Sequence, residues 1–556
     1  MRRGTTGTVI GSALLVSVGT LVYLTRLPAA ETIDADPSNY RTLLKQLRPG
    51  DTLRLAAGTY RGLPIAGLHG DENAWITISG PVDGPPAIIA GGTERIGIRQ
   101  DAIDISMSSY VSIENLRIDS RGVEGVFGIA AHGREENVVH HIRVENNTFV
   151  GQGGNQQTVA ISTKTPTWGW IIRYNRVLGA GTGLYLGDSD GSQPFVAGLI
   201  ENNLIRDTIG YNVEIKRQKM LPEIEGMPLE PTSTVIRNNV FIKNDRSTPQ
   251  GDRPNVLVGS FPATGHGSLN MYEIYGNLFF HNHREALFQA SGRVTVHDNL
   301  FVDGPYDYPA VLFRHHDGNP VQVAYFYNNT VYTTDGGVHF GSRAARDDAV
   351  VGNLVFGSKP ISGEIMRQEG NITDNLANAR LHVTSPSFDL GAMDFFPIQG
   401  KCVGPALDLS SFNADSRYTL DFNGASKLRS GGAVLYRGAY SGSGENPGWK
   451  IGPNIKPPDP PTPIAAPVLV WISPASVSAG RSTQVKLTGA NFAPDATVMV
   501  SGAGIAVQKA SVDSATVITA TLSVAADGPA GRREINVKQE SGASNPFRFT
   551  ITAGRR

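Results

Sequence analysis

The stretch Gly210–Gln218, GYNVEIKRQ, sets Glu214 and Lys216 two residues apart between the apolar Val213 and Ile215. Side chains alternate along a strand, so burying Val213 and Ile215 turns both charges to the opposite face. A lysine and a carboxylate sharing a face are either solvated surface or part of a proton-handling site, and the neighbouring strands decide which. Short segments with apolar residues at alternate positions recur on both sides: GIAAHG, TVAISTK, GLYLGD, NVLVGS, EALFQAS, AVLFRHH and GGVHFGS. They are aligned here on the inward pairs Ile129 and Ala131, Val159 and Ile161, Leu184 and Leu186, Val256 and Val258, Ala286 and Phe288, Val311 and Phe313, Val338 and Phe340. The outward column at the level of Lys216 then reads His132, Ser162, Gly187, Lys216, Gly259, Gln289, Arg314 and Gly341. One outward position further lie Lys164, Ser291, His316 and Arg343, and one back lie Tyr185 and His339. Such a face is polar, cationic and aromatic, and its glycines are expected to leave room for a ligand.

Cations recurring at the strand spacing of about 4.8 Å suit an extended polymer bearing carboxylates or sulfates. The expected partner is an acidic, uronic-acid-containing polysaccharide, bound by His132, Lys164, Arg217, Gln289, Arg314, His316 and His339. Cleaving it by β-elimination takes a base for the proton beside the carboxylate, a group that neutralises the carboxylate, and an acid for the leaving oxygen. Lys216 is the candidate base by position, although a lysine's ordinary pKa of about 10.4 has to fall for that role. Tyr185, one coil back, Arg253, in the preceding loop, or a water molecule is the candidate acid. Gly187-Asp-Ser-Asp-Gly191 places two carboxylates in one tight loop, which serves either as a plain turn or as part of a calcium site. Calcium is the one cofactor candidate, with Asp188, Asp190 and Glu214 as ligands and a substrate carboxylate to bridge. Two other readings use the same residues. A glycoside hydrolase would pair Glu214 with Asp188 across one coil, and a non-catalytic carbohydrate-binding or surface-adhesion protein would need only the cations.

The elements that hold this face follow from a second repeat. Between about residues 110 and 380, β-rich runs end in Asn147-Thr-Phe, Asn175-Arg-Val, Asn203-Leu-Ile, Asn239-Val-Phe, Asn277-Leu-Phe, Asn299-Leu-Phe, Asn329-Thr-Val and Asn353-Leu-Val. The unequal intervals exclude a helical hairpin array and fit β-coils whose loops vary only at the corners. Asparagine tolerates left-handed backbone and can stack in a hydrogen-bonded ladder, so these residues read as corner-formers. The sequence therefore predicts an all-β fold, a solenoid of parallel sheets.

Leu47–Tyr60, LRPGDTLRLAAGTY, together with Asp394-Phe-Phe-Pro397, Asp421–Ala425 and Arg437–Tyr440, resembles the opening and closing regions of the pectate-lyase-like superfamily. The resemblance covers roughly residues 32–450 and implies a right-handed parallel β-helix whose entry is capped by a short helix. Family lyases acting on alginate and dermatan-type chains are similar in carrying a lysine at the end of a strand like that of Lys216. They also place an arginine on the next coil, where this chain has Gly259 and Ser260. Its next outward arginine, Arg314, lies three coils or about 14 Å on, too far to share one glycosidic bond with Lys216.

Pro457-Pro-Asp-Pro-Pro-Thr-Pro463 reads as a stiff linker, so residues 32–452 form the solenoid, 453–467 the linker and 468–556 a small immunoglobulin-like sandwich. Through Ile472-Ser-Pro474, Gly480 and Thr488–Phe492 the last unit resembles the immunoglobulin-like domain of plexins and transcription factors, an accessory without chemistry of its own. Met1-Arg2-Arg3 followed by the nearly uncharged run Thr8–Leu24 makes residues 1–31 a signal peptide or membrane anchor. A secreted, periplasmic or cell-surface monomer is expected, touching membrane only through that segment. Lys plus Arg (49) nearly balances Asp plus Glu (50), which gives no overall basic field for nucleic acid. The single cysteine, Cys402, excludes an internal disulfide or a multi-cysteine metal site.

Overall fold

The computed structural model describes residues 30–554, apart from 96–97, 305–306, 317, 428–433, 460–466, 494, 515 and 540–541. The expected export segment falls outside them except for its last two residues. Among the described residues no helix is long and apolar enough to cross a membrane.

The chain winds through three long parallel sheets. One coil shows the plan: Leu199–Glu201 joins the first sheet, Leu204–Arg206 the second and Val213–Ile215 the third. Each strand pairs in parallel with its counterparts in the coils before and after. This is the expected solenoid. The short helix Tyr40–Leu44 stands at its entry, with Tyr40 and Leu44 buried. Alternation works as read: Val213 and Ile215 are fully buried in a continuous core with Leu184, Leu186, Val256 and Val258. Inside, rings also stack from coil to coil, Phe279 on Phe301 at 4.5 Å and Phe241 beside Phe279 at 5.2 Å.

The asparagines form the corner between the first and second sheets. The amide nitrogen of each donates to the side-chain oxygen of the next: Asn175 to Asn203, Asn203 to Asn239 and Asn277 to Asn299, each at 3.0 Å. The side-chain nitrogen meanwhile donates to a strand carbonyl, as Asn277 does to Ile236 at 2.9 Å. The ladder runs one step further than the sequence motif, because Asn353 donates to Asn371 at 2.9 Å. Left-handed backbone does not fall on the ladder asparagines themselves. It falls on the residue before each, with φ of 53° at Asn146, 50° at Asn202, 56° at Asn238 and 67° at Gly276. That residue turns the chain, which leaves the asparagine in register to bond.

Beyond Asp374 the chain folds back over the outside of the second sheet, where Phe395, Phe396, Phe422 and Tyr440 cover Leu278, Leu300 and Phe356. It closes with Lys456, whose ammonium donates to Asn238 Oδ1 (2.8 Å) and to the carbonyls of Gly276 (3.1 Å) and Phe422 (2.7 Å). Asp459 pairs with Arg417 at 3.1 Å and accepts from Asn238. The first half of the expected linker is thus docked on the asparagine corner instead of extending freely. The reason is chemical: an ammonium here satisfies corner carbonyls that would otherwise be buried without partners.

From Val468 to Thr552 a separate unit has a four-stranded and a five-stranded sheet, almost wholly antiparallel, around its own core of Ile472, Leu487, Ile518, Leu522, Ile535 and Phe549.

Candidate active site on the third sheet

Strand register redraws the outward columns. Ile129 lies beside Ile161, and Val256 beside Phe288. The column of Lys216 therefore holds His132, Lys164, Gly187, Lys216, Gly259, Ser291, Arg314 and Gly341. Ser162 and Gln289, expected in it, stand one position back with Tyr185, Glu214 and His339. The slip has a simple cause: Thr163 and Ala290 fill the inward positions, and neither residue type announces a core.

The glycines leave room for neighbouring coils, which corrects the expectation of ligand space. A side chain at Gly259 would strike the Arg217 backbone nitrogen at 2.3 Å, whereas at Gly187 and Gly341 it would press on the Cβ atoms of Lys216 and Arg314 at 3.3 Å.

Around Lys216 the outward side chains converge on a cleft of about 170 Å³ lined by Gln156, Gln157, Val159, Thr182, Tyr185, Gly210, Tyr211, Glu214, Lys216 and Arg253. Glu214 and Lys216 form an ion pair at 2.8 Å, with their side chains 4% and 16% exposed. Facing outward has not made Glu214 a surface residue, because its neighbours cover it. Tyr185, on the adjacent strand, lies under two ammonium groups, Lys164 at 5.2 Å and Lys216 at 5.4 Å from its ring centre. Its hydroxyl reaches Ser189 Oγ at 3.0 Å, and burial holds its pKa above the ordinary value. The guanidinium of Arg253 stands 5.7 Å from the ring centre of Tyr211. Burial, followed by the charge of Glu214, pushes the Tyr211 hydroxyl strongly toward its protonated form.

The structure brings together all three expected catalytic residues, Lys216, Tyr185 and Arg253, with Lys164 beside them. It does not bring together the expected calcium ligands. Glu214 is bound to Lys216, and Asp190 to Lys219 at 3.2 Å. Asp188 and Asp190 line a different hollow with Glu135 and Glu136, and among the described residues no group of three or more acidic, histidine or cysteine side chains is placed to hold a metal. The remaining expected binders spread along the sheet. His132 bonds to Ser162 at 3.0 Å, and burial together with Lys164 brings its pKa down to about 4. Arg314 approaches Gln289 at 3.4 Å, His339 bonds to Ser362 at 2.9 Å, and His316 pairs through its backbone with Asn319. Arg217 lies outside the cleft lining, with its Nε buried and unpartnered among the described residues.

Three residues escaped the sequence reading. Tyr211 precedes the strand, so alternation says nothing about it. Gln156 pins the loop of Arg253, accepting from the Gln250 amide at 3.1 Å and donating to the Gly251 carbonyl at 2.7 Å. Glu285 lies in a turn and adds its charge to those acting on Tyr211.

Residues 466–545 match the family of quinohemoprotein amine dehydrogenase, alpha subunit domain III, which replaces the plexin-type assignment. Among solved structures the chain is similar to an alginate lyase of the PL6 family, AlyGC, at 14% identity and a TM-score of 0.32, covering 81% of this chain and 61% of that one. It is also similar to a mannuronic acid specific polysaccharide family 6 lyase from human gut microbiota, at 14% identity and a TM-score of 0.31, covering 62% of this chain and 82% of that one. This chain thus spans about three fifths of AlyGC's length. No curated protein matches it.

Proposed function

We propose that the protein is an exported polysaccharide lyase that cleaves a uronic-acid-containing polymer by β-elimination in the Tyr185–Lys216 cleft. The observation that supports this reading is the convergence of a lysine–carboxylate pair, two tyrosines and an arginine on one partly desolvated cleft.

The roles follow from the chemistry. Arg253 neutralises the sugar carboxylate, which makes the adjacent C–H acidic. Across the 2.8 Å bond Lys216 passes its proton to Glu214, a transfer that a bound substrate favours by excluding water from the pair. The free amine takes the proton at C5, and the electron pair enters the carboxylate as an enolate-like intermediate. The C4–O4 bond then breaks, a C4=C5 double bond forms, and a tyrosine hydroxyl, Tyr211 or Tyr185, protonates the departing O4. Lys164, Arg314 and His339 hold neighbouring sugars along the sheet.

The test is incubation with alginate, polygalacturonate and dermatan sulfate, following unsaturated uronate by absorbance alongside reducing ends. Unsaturated product that disappears in Lys216→Ala supports the reading, while undiminished product in that variant removes Lys216 from the reaction. Reducing ends without unsaturation would make the protein a hydrolase, and binding without products would make it a carbohydrate-binding protein.

A further inference from the structure

Ten residues before Arg253, at the end of the second-sheet strand Val240–Ile242, stands Lys243, which is 3% exposed. Its ammonium reaches across the base of the intervening loop to the carbonyl of Arg253 at 2.9 Å. Asn282, fully buried on the next coil, donates to the same carbonyl at 2.9 Å and to Asn255 Oδ1 at 2.9 Å. On the cleft side Gln156 holds Gln250 and Gly251, while the Arg253 guanidinium folds back to the carbonyls of Asp252 (2.8 Å) and Gln250 (3.2 Å). The loop is tied from below through one carbonyl and from the side through one glutamine.

Burying an ammonium costs several kcal/mol unless close partners repay it. Among the described residues no carboxylate forms an ion pair with Lys243. Asp252, Glu285 and Asp303 act on it only at longer range, and burial prevails, bringing its pKa down to about 8. A methionine of similar length would fill this space more cheaply. A costly group kept at such a position points to something other than stability.

We infer that Lys243 is a positioning residue for Arg253: its buried ammonium holds the Arg253 carbonyl so that the guanidinium is presented to the cleft beside Tyr211. The role depends on the lyase reading only for its catalytic consequence, and the strapping of the loop stands without it. Lys243 touches no substrate; it acts through the backbone of Arg253.

Two readouts in the full-length chain separate the cases. In Lys243→Met, amide hydrogen exchange over residues 247–252 should rise at least tenfold, with the exchange of the second-sheet strands and the thermal midpoint unchanged or raised. Turnover of alginate or polygalacturonate should drop to that of Arg253→Ala, and the double variant should fall no further. Lys243→Gln, which keeps an N–H donor but ends one atom short, gives the same pattern at smaller size and serves if the methionine variant does not fold. Unchanged exchange in 247–252 overturns the inference. So does a loss spread through the second sheet, or a double variant as impaired as the product of the two single effects. A loosened loop in a protein that yields unsaturated product from none of alginate, polygalacturonate and dermatan sulfate keeps the strap and refutes only the proposed reaction.

Discussion

The asparagine corner and the Tyr185–Lys216 cleft are built on the same coils, with opposite habits. At the corner one residue type recurs, buried from Asn147 to Asn353 and each bonded to the next as far as the half-buried Asn371. At the cleft no residue type repeats in register: Tyr185 lies beside Glu214 and Glu214 beside Leu257, and Arg253 joins them from a loop. Each region also holds a lysine of low exposure. Lys456 at the corner donates to two carbonyls and an amide oxygen, with Asp459 at 3.7 Å, while Lys216 is paired directly with Glu214 on the wall of a cleft. Repetition along a solenoid marks what the fold needs, and a break in repetition marks where chemistry can be placed.

The largest expected effect belongs to the cleft. Lys216→Ala should reduce unsaturated-product formation about a thousandfold, the range for losing a general base, with a loss of stability too small to unfold the chain under assay conditions. A loss of stability larger than that of a corner asparagine would mean that the cleft is as structural as the corner.

Asn277→Ala tests the opposite side. It removes the acceptor for the Asn239 amide and two donors to carbonyls, and should cost about 3 kcal/mol in urea unfolding. Specific activity of the folded fraction should stay at wild-type level, and a fall in it would blur the contrast.

Lys456 gives a pH signature to the corner. Burial sets its folded pKa at about 8, below the ordinary 10.5. Below pH 8 both folded and unfolded chains carry the proton, and the full cost of the buried charge applies. Between pH 8 and 10.5 the folded chain releases a proton that the unfolded chain keeps, so stability rises with pH. Relative to Lys456→Met, wild type should gain about 2 to 3 kcal/mol from pH 8 to pH 10 in urea titrations. A flat difference would mean that Asp459 and the corner carbonyls hold Lys456 charged throughout.

The smallest effect is expected at Arg314, three coils from Lys216. Arg314→Ala should raise KM for a long polymer about threefold, leave kcat alone and not affect a dimer or trimer. A drop in kcat would extend the reacting centre along the sheet.

Much of this contrast was legible in the chain. The Asn-bearing runs give the corner, alternation around Val213 and Ile215 gives the outward face, and their coil positions bring Lys216, Tyr185 and Arg253 together. Register failed at two coils because Val159-Ala-Ile-Ser-Thr163 offers two inward pairs and Phe288-Gln-Ala290 ends in a small residue. Hydropathy alone does not choose between such frames. Asp188 and Asp190 are expected near Glu214 because their loop lies beside the Lys216 coil, yet the turn after Leu186 carries them into a separate hollow. Tyr211, Gln156 and Lys243 lie at turns, where two-residue periodicity has ended and only tertiary contacts reveal direction.

The docking of Lys456 and Asp459 also fixes where the molecule can be cut. Severing the chain before Lys456 would remove a buried cation from the corner and strand Asn238, Gly276 and Phe422 oxygens without their donor. A solenoid meant to stand without the second unit has to retain residues through Asp459.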